Sequence, residues 1–199
     1  QDAAGFFPGL GIAPGAEVFA TKIFKNSTRF DIGARTFSDL ARVAAQAGCT
    51  VSSNSWGAPI FGEYDAGAAE FDALTRDAHP DPGEQSITFV FAAGNEGDIT
   101  DHGERSVGSP ASAKNVISVG AAENCDADGT DGCAIPPIGA DSLRDLITFS
   151  SRGPLMDGRL GVTVIATGTH VRGPASTSAS YDGSGVCDQY WPVGQALYA

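Results

Sequence analysis

The sequence predicts an α/β fold built on a mostly parallel sheet. Segments rich in branched and aromatic residues alternate with segments whose apolar residues recur at helical spacing, which is typical of parallel strands joined by helices. Polar residues follow two of the strand-like segments, at Ser55 and at Asn95. Because ligands bind at the carboxyl ends of the strands in such sheets, the pattern also predicts a binding site near these residues.

The first predicted elements are a strand at residues 17–24 and an amphipathic helix at residues 36–47. Thr36 and Asp39 form a capping-box pattern at the start of this helix, and Gly48 is a natural stop after its end. One helix face carries apolar residues that we expect in the core: Phe37, Leu40, Ala41, Ala44 and Ala47.

The next elements are a buried strand at residues 50–54 and a second helix at residues 63–78. The core face of the second helix consists of Gly67, Phe71, Leu74 and Ala78. Further strands are predicted at residues 86–92, 116–120, 147–149 and 162–166. We find no internal repeat and no linker between domains.

Composition limits the classes of function. The chain has 199 residues, of which 42% are hydrophobic, and this suits one globular domain or most of one. The formal net charge of −12 disfavours a nucleic-acid partner, because phosphate contacts need clustered Lys and Arg. No apolar stretch reaches the ~18 residues of a membrane span, so no membrane partner is expected.

The four cysteines do not show the paired spacing of a zinc site. Cys125 and Cys133 flank a loop rich in Gly and Asp, and this arrangement predicts a local disulfide. Cys49 and Cys187 would then pair with each other or stay free, and a buried free thiol at Cys49 is a fair alternative.

Residues 91–97, with the sequence FAAGNEG, carry the chemistry that is most informative. They continue a buried strand, break at Gly94 and present Asn95 just beyond the strand end. An amide held there can donate a hydrogen bond to a developing oxyanion. The alternative is an ordinary turn, because Gly-Asn is also common turn chemistry.

Several other motifs accompany this segment in a fixed order along the chain. They are GIAPGA at 11–16, NSWG at 54–57, GSPASAKNVISVG at 108–120, FSSRGP at 149–154, DGR at 157–159 and ATGT at 166–169. Together they resemble the catalytic domain of subtilisin-like serine proteases, peptidase S8, and most closely its branch of large secreted alkaline enzymes. The resemblance implies a three-layer α/β sandwich with a mostly parallel sheet, incomplete at both ends. Residues 1–199 would form part of a single catalytic domain.

The resemblance implies a role for each candidate site residue. Asn95 matches the oxyanion-hole asparagine, and Ala92, Ala93 and Gly94 match one wall of the primary specificity pocket. Residues 55–57, which are Ser55, Trp56 and Gly57, match the segment that binds a peptide substrate as an added strand. Trp56 would then border an apolar pocket, and the alternative is a core tryptophan at a strand end. No metal ligand is assigned.

The family's catalytic Asp, His and Ser are not found in this sequence. In the family, Asp and His precede the motif at 11–16, and Ser lies in a Gly-Thr-Ser motif after the segment at 166–169. The three histidines, His79, His102 and His170, lie in segments that do not match a triad. We therefore expect a central fragment of a secreted serine endopeptidase, inactive by itself. A non-catalytic, peptide-binding relic of the same fold is the alternative.

The expected partners are polypeptide substrates, and we expect a monomer. No cofactor is required, although the family often uses calcium for stability. Asp126, Asp128 and Asp131 form an acidic cluster with Gly129 in a loop that looks like an insertion. The cluster lacks the full calcium-loop pattern, which favours a solvated loop closed by the disulfide over a calcium site.

Overall fold

The computed structural model describes residues 11–25, 29–100, 103–124, 141–169 and 171. The chain divides into two compact units. The larger unit comprises Val18–Gly120 and Thr148–Ala166, and the smaller comprises Gln1–Glu17, Ala121–Ile147 and Thr167–Ala199. The expectation of a single domain stays a prediction.

A sheet of four strands confirms the predicted α/β class. In chain order the strands are β1 (Val51–Asn54), β2 (Thr88–Ala92), β3 (Ile117–Ala122) and β4 (Val164–Thr167), and they are adjacent in that order. β1 pairs with β2 and β2 with β3, in both cases in parallel. All three strands therefore direct their carboxyl ends toward the same edge, where the sequence predicts the site.

Helix α1 covers Phe37–Gln46, close to its predicted range. The Asp39 N–H donates to Thr36 Oγ1 (3.1 Å) and the Thr36 N–H donates to Asp39 Oδ2 (2.9 Å), so the predicted capping box is present. The hydrogen bond from the Thr36 backbone lowers the pKa of the Asp39 carboxyl. Gly48 follows the helix end with a φ of +82°, a conformation that favours glycine.

Helix α2 covers Ala66–Arg76 and is shorter than predicted at both ends. Asp65 Oδ1 accepts a hydrogen bond from the Ala68 N–H (2.8 Å), which sets the first turn three residues later than predicted. At the other end the backbone of Asp77 is extended, and the Ala78 N–H donates to the Gln85 carbonyl instead of continuing the helix. Ala78 is nevertheless buried in the core, as predicted.

The core of the larger unit is centred on a group of aromatic rings. Phe71 of α2 lies 4.8 Å from Phe91 and 5.0 Å from Phe89, measured between ring centroids, so the helix packs on β2. Phe71, Phe89 and Phe91 are at most 3% exposed. Phe37 of α1 is 5.2 Å from Phe71 and brings the first helix into the same cluster. Burial of these large rings makes a substantial apolar contribution to the stability of this unit.

Two predicted strands are not formed. In residues 17–24 only Phe24 pairs, in an isolated bridge with Phe30, and Val18 is 86% exposed. In residues 147–149 no strand forms, and the bridge in this region joins Leu146 to Ala122. Both segments have strand composition, but a strand also needs a partner for its backbone groups, and composition does not supply one.

β1 is not a buried strand, contrary to prediction. It lies at the end of the described strand order, and Val51 is 59% exposed. The thiol of Cys49, just before this strand, is free and partly buried, as the alternative expected. Cys125, Cys133 and Cys187 lie outside the described residues. Neither described helix is both long and apolar enough to cross a membrane.

Candidate active site

Asn95 lies on a loop that leaves the sheet directly after β2. The Ala93 N–H still donates to the Val119 carbonyl of β3 (2.9 Å), so the backbone follows the sheet up to that residue. The Asn95 side chain is exposed, and no described residue forms a hydrogen bond with its amide group. The amide can therefore donate to an oxygen of an external molecule.

The backbone of this loop is held by two neighbouring polar side chains. Glu96 Oε2 accepts hydrogen bonds from the Asn95 N–H (2.8 Å) and from the Ser151 hydroxyl (3.2 Å). The Ser151 hydroxyl oxygen accepts a bond from the Glu96 N–H (3.1 Å), and the Ser151 N–H donates to the Gly94 carbonyl (3.0 Å). Ser151 is only 1% exposed, so this network anchors an exposed loop to a buried residue.

Gly94 is required by the geometry of the same network. Its φ of +120° lies in the region that favours glycine. A Cβ atom at this position would lie 2.5 Å from Glu96 Oε2 and 2.7 Å from Ser151 Oγ. Any side chain at Gly94 would therefore displace the two groups that hold the backbone of Asn95.

The predicted substrate-binding segment, residues 55–57, follows β1 at the same edge of the sheet. Ala58, the next residue, exchanges two backbone hydrogen bonds with Ser109, of 2.8 and 3.0 Å. The Gly108 N–H donates to the Ala93 carbonyl (2.9 Å). Residues 108–109 therefore link the segment after β1 to the segment after β2, and the two predicted parts of the site lie on one hydrogen-bonded frame.

Gly57 also packs closely against this linking segment. A Cβ atom on Gly57 would be 2.8 Å from the Ser109 carbonyl oxygen, so a side chain would push the two segments apart. The Ser109 hydroxyl donates to Asp65 Oδ1 (2.6 Å), the oxygen that also caps α2. The position of residues 108–109, which link the segments after β1 and β2, thus depends on the first turn of that helix.

Trp56 belongs to the core cluster more than to the surface. It is partly buried, and its ring stacks on Phe37 with 5.2 Å between centroids and 19° between planes. Phe91 lies 5.4 Å from it in an edge-on arrangement, and the Trp56 indole N–H donates to Asn54 Oδ1 (3.1 Å). These contacts support the alternative of a core tryptophan. Only the partly exposed remainder of the ring is accessible to a substrate.

The predicted pocket wall is exposed in part. Ala92 is exposed and Gly94 is partly exposed, whereas Ala93 is only 1% exposed. Ala93 is therefore not accessible to a substrate in this structure, and its N–H and carbonyl are bonded to Val119 and Gly108. The pocket assignment of the three residues stays a prediction, as does that of Ser55, which is exposed.

His79 has a structural role. It is 7% exposed, its Nε2 lies 2.9 Å from Gln46 Nε2, and its Nδ1 accepts a hydrogen bond from the Asp81 N–H (3.0 Å). Within the described part of the chain, no hydroxyl group bonds to its ring, so no described serine is paired with it as nucleophile and base. His102 and His170 lie outside the described residues.

Replacing Ser151 by Ala is expected to lower the free energy of unfolding by about 1–3 kcal/mol, because the Glu96 N–H loses its acceptor. Urea unfolding of the 199-residue chain measures this change. Ser53→Ala, on an exposed position of β1, is the matched control and should change stability by less than about 0.5 kcal/mol. Equal stability of the two variants would contradict an anchoring role for Ser151.

A comparison with known families decides the classification. The model of the subtilase family, peptidase S8, matches residues 2–193. The chain belongs to the subtilase family. This subtilase chain is 31% identical over 169 residues to pyrolysin of Pyrococcus furiosus, and the match covers 79% of this chain and 11% of pyrolysin. Family membership confirms the predicted resemblance.

Two solved structures are similar to this subtilase chain. The prenylagaramide maturation protease PagA has 18% identity and a TM-score of 0.44, and the match covers 76% of this chain and 42% of that one. Sphericase has 22% identity and a TM-score of 0.41, and the match covers 72% of this chain and 42% of that one. The subtilase chain thus spans about a tenth of pyrolysin and less than half of each solved chain.

Sequence reasoning missed the residues that hold the subtilase site together. Glu96 and Ser151 were not singled out, although they lie inside two of the recognised motifs, at 91–97 and 149–154. Nothing in the sequences of the two motifs indicates that they lie next to each other in the fold. Their contact is made by side chains that are distant in the sequence, so the structure was needed to show it.

Proposed function

We propose that this subtilase chain forms the oxyanion-stabilising and substrate-binding part of a secreted serine endopeptidase. The enzyme hydrolyses peptide bonds through an acyl-enzyme intermediate. Formation and breakdown of that intermediate each pass through a tetrahedral species whose oxygen is negatively charged. In this proposal Asn95 donates its side-chain N–H to that oxygen, and the Asp, His and Ser of the triad belong to other segments of the enzyme.

The observation that carries the proposal is the state of Asn95 in the structure. Its amide is exposed and has no hydrogen-bond partner among the described residues, while its backbone is held by Glu96. Anchoring of the backbone restricts where the amide can lie, and a preorganised donor stabilises a developing charge at a lower cost of reorganisation during the reaction. Glu96 and Ser151 therefore act as positioning residues for Asn95.

Peptide binding is proposed for the segment that follows β1. Residues 55–57 follow β1, which ends the order of the described strands, and a substrate that adds as a further strand can pair with their backbone groups. Gly57 has no side chain to obstruct this approach. Ala92 and Gly94, which are small and at least partly exposed, leave room for a substrate side chain next to Asn95.

Secretion is part of the proposal. The family includes many secreted enzymes, and the net charge of −12 keeps a protein soluble outside the cell. Polypeptides are the proposed substrates, and the unit of function is a monomer.

The decisive experiment compares two proteins: the 199-residue chain and the complete product of its gene. Each is treated with a fluorophosphonate probe, which labels an activated serine, and is assayed with a fluorogenic peptide. The complete protein should take the label and hydrolyse the peptide. The 199-residue chain should do neither, because no described hydroxyl is paired with a histidine base.

Each outcome separates the proposal from its alternative. Labelling and hydrolysis by the purified 199-residue chain would show that it holds a nucleophile of its own. A complete protein that binds peptides but takes no label would be a peptide-binding relic of the subtilase fold. A complete protein with neither property would exclude both functions.

A further inference from the structure

We propose that Glu123, Asp141 and Asp145 bind a calcium ion that stabilises the smaller unit. Glu123 follows β3 directly, and the two aspartates lie in the segment that returns beside it. One carboxylate oxygen of each residue lies within 4.8 Å of the corresponding oxygens of the other two. The proposal does not depend on peptide hydrolysis, because none of these residues belongs to the candidate active site.

Backbone hydrogen bonds hold the segments that carry Glu123 and Asp145 side by side. The Glu123 N–H donates to the Asp145 carbonyl (2.9 Å), and the Ile147 N–H donates to the Ala121 carbonyl (3.2 Å). Between these bonds, Leu146 and Ala122 form an antiparallel bridge. Glu123 and Asp145 are thus neighbours on a short paired ladder, and their approach does not depend on flexible side chains alone.

The burial of Glu123 supports a ligand site at this place. Glu123 is only 7% exposed, and its Oε2 atom is buried without a hydrogen-bond partner among the described residues. A buried carboxylate oxygen without a partner is strongly unfavourable. The nearby carboxylates of Asp141 and Asp145 make this worse, because they carry the same charge.

The surrounding charges favour a cation as the partner of Glu123 Oε2. Within the described part of the chain, no Lys or Arg forms an ion pair with any of the three carboxylates. A bound divalent cation would satisfy the buried oxygen and would reduce the repulsion among three negative groups. A water molecule could satisfy the oxygen but would leave the charge unbalanced.

The ligand set selects calcium among the common divalent cations. All three side chains offer oxygen, whereas zinc prefers nitrogen and sulfur ligands. Ca²⁺ takes about six to eight oxygen ligands in a flexible geometry, which suits three carboxylates whose oxygens lie within 4.8 Å of one another. Mg²⁺ demands near-ideal octahedral geometry and usually keeps several waters beside only one or two carboxylates.

Exposure of the two aspartates predicts a modest affinity. Asp141 and Asp145 are both exposed, so water completes the coordination and competes for it. We expect a dissociation constant in the range of about 0.1–1 mM, which is common for calcium sites of extracellular modules. The acidic cluster of Asp126, Asp128 and Asp131 lies outside the described residues and takes no part in the proposal.

The test measures calcium binding and thermal unfolding of the 199-residue chain after removal of metal with EDTA. At about 5 mM, CaCl₂ should raise Tm by about 3–5 °C, and MgCl₂ should raise it by less than about 1 °C. Glu123→Gln keeps the shape of the side chain and removes its charge, so the affinity measured by calorimetry should fall at least about tenfold. Glu63→Gln, at an exposed position, is the matched control and should keep the wild-type affinity.

A second variant covers the case in which Glu123→Gln does not fold. Asp141 is exposed, so Asp141→Asn should fold and should also weaken calcium binding about tenfold or more. Calcium binding that is unchanged in both variants would place the ion elsewhere and overturn the proposal. Absence of any calcium-dependent change in heat or Tm in the wild-type chain would overturn it as well.

Discussion

Replacement of Asn95 by Leu in the complete enzyme is expected to lower kcat about 10²–10³-fold and to leave KM nearly unchanged. This range was established for the oxyanion asparagine of the subtilase family itself, so it is carried over from the family and not calculated from this structure. Leu has a similar size but cannot donate a hydrogen bond. The amide acts on a charge that exists only near the transition state, so its loss affects the chemical step more than substrate binding.

Two further variants make this prediction specific. Asn95→Asp keeps the shape but replaces the donor by a carboxylate, which repels the oxyanion, and it should be at least as inactive as Asn95→Leu. Asp98→Ala changes an exposed residue of the same loop that forms none of the described anchoring bonds, and kcat should stay within about twofold. An Asn95→Leu enzyme with wild-type kcat would exclude the proposed role.

Replacement of Phe71 by Ala is expected to lower the free energy of unfolding by about 3–5 kcal/mol. Phe71 is 3% exposed and lies within 6.0 Å of four other aromatic rings, measured between centroids. Its removal leaves a cavity between α2 and β2 that the surrounding rings cannot fill without leaving their positions. Urea unfolding of the 199-residue chain, followed by tryptophan fluorescence, measures the loss.

Variants of graded size test whether the loss comes from the cavity. Phe71→Leu keeps most of the apolar volume and should cost less than half as much as Phe71→Ala. Leu160→Ala, at a side chain that is 90% exposed, should change stability by less than about 0.5 kcal/mol. If Phe71→Ala were as mild as Leu160→Ala, the aromatic cluster would not be the centre of the core.

The helices were the elements that local sequence predicted best. The capping box of Thr36 and Asp39 and the stop at Gly48 act within one turn of chain, so the residues that set the ends of α1 are visible in the sequence. The start of α2 was placed too early because the pattern of apolar residues extends beyond the helix. Asp65 sets that start by capping, and its hydrogen bond to the Ser109 hydroxyl connects the cap to a distant segment.

The strands were predicted less well, because each strand depends on a partner. Residues 17–24 and 147–149 have strand composition, yet neither forms a strand in the described structure. β1 has the same kind of composition and pairs only with β2 among the described strands, which leaves Val51 exposed. Pairing is a property of segments that are far apart in the chain, and composition alone does not determine it.

The candidate site also combines features set by contiguous sequence with features set by contacts between distant segments. Motif order pointed to Asn95 as the candidate donor and to residues 55–57 as the candidate substrate segment, because each motif is contiguous in the sequence. The anchoring of Asn95 by Glu96 and Ser151 and the burial of Trp56 among phenylalanines were visible only in the structure. The three carboxylates of the proposed calcium site also come from separate segments, and the sequence assigned no metal ligand to them.

The sequence by itself determined the family, the α/β class, the identity of the candidate oxyanion donor and the start of the first helix. These follow from contiguous motifs and from interactions between residues a few positions apart. Only the tertiary structure decided which strands pair, which side chain holds the backbone of Asn95, and that Glu123 is buried beside two other carboxylates. The physical reason is that hydrogen-bond satisfaction and burial depend on contacts between distant segments, which exist only after the chain has folded.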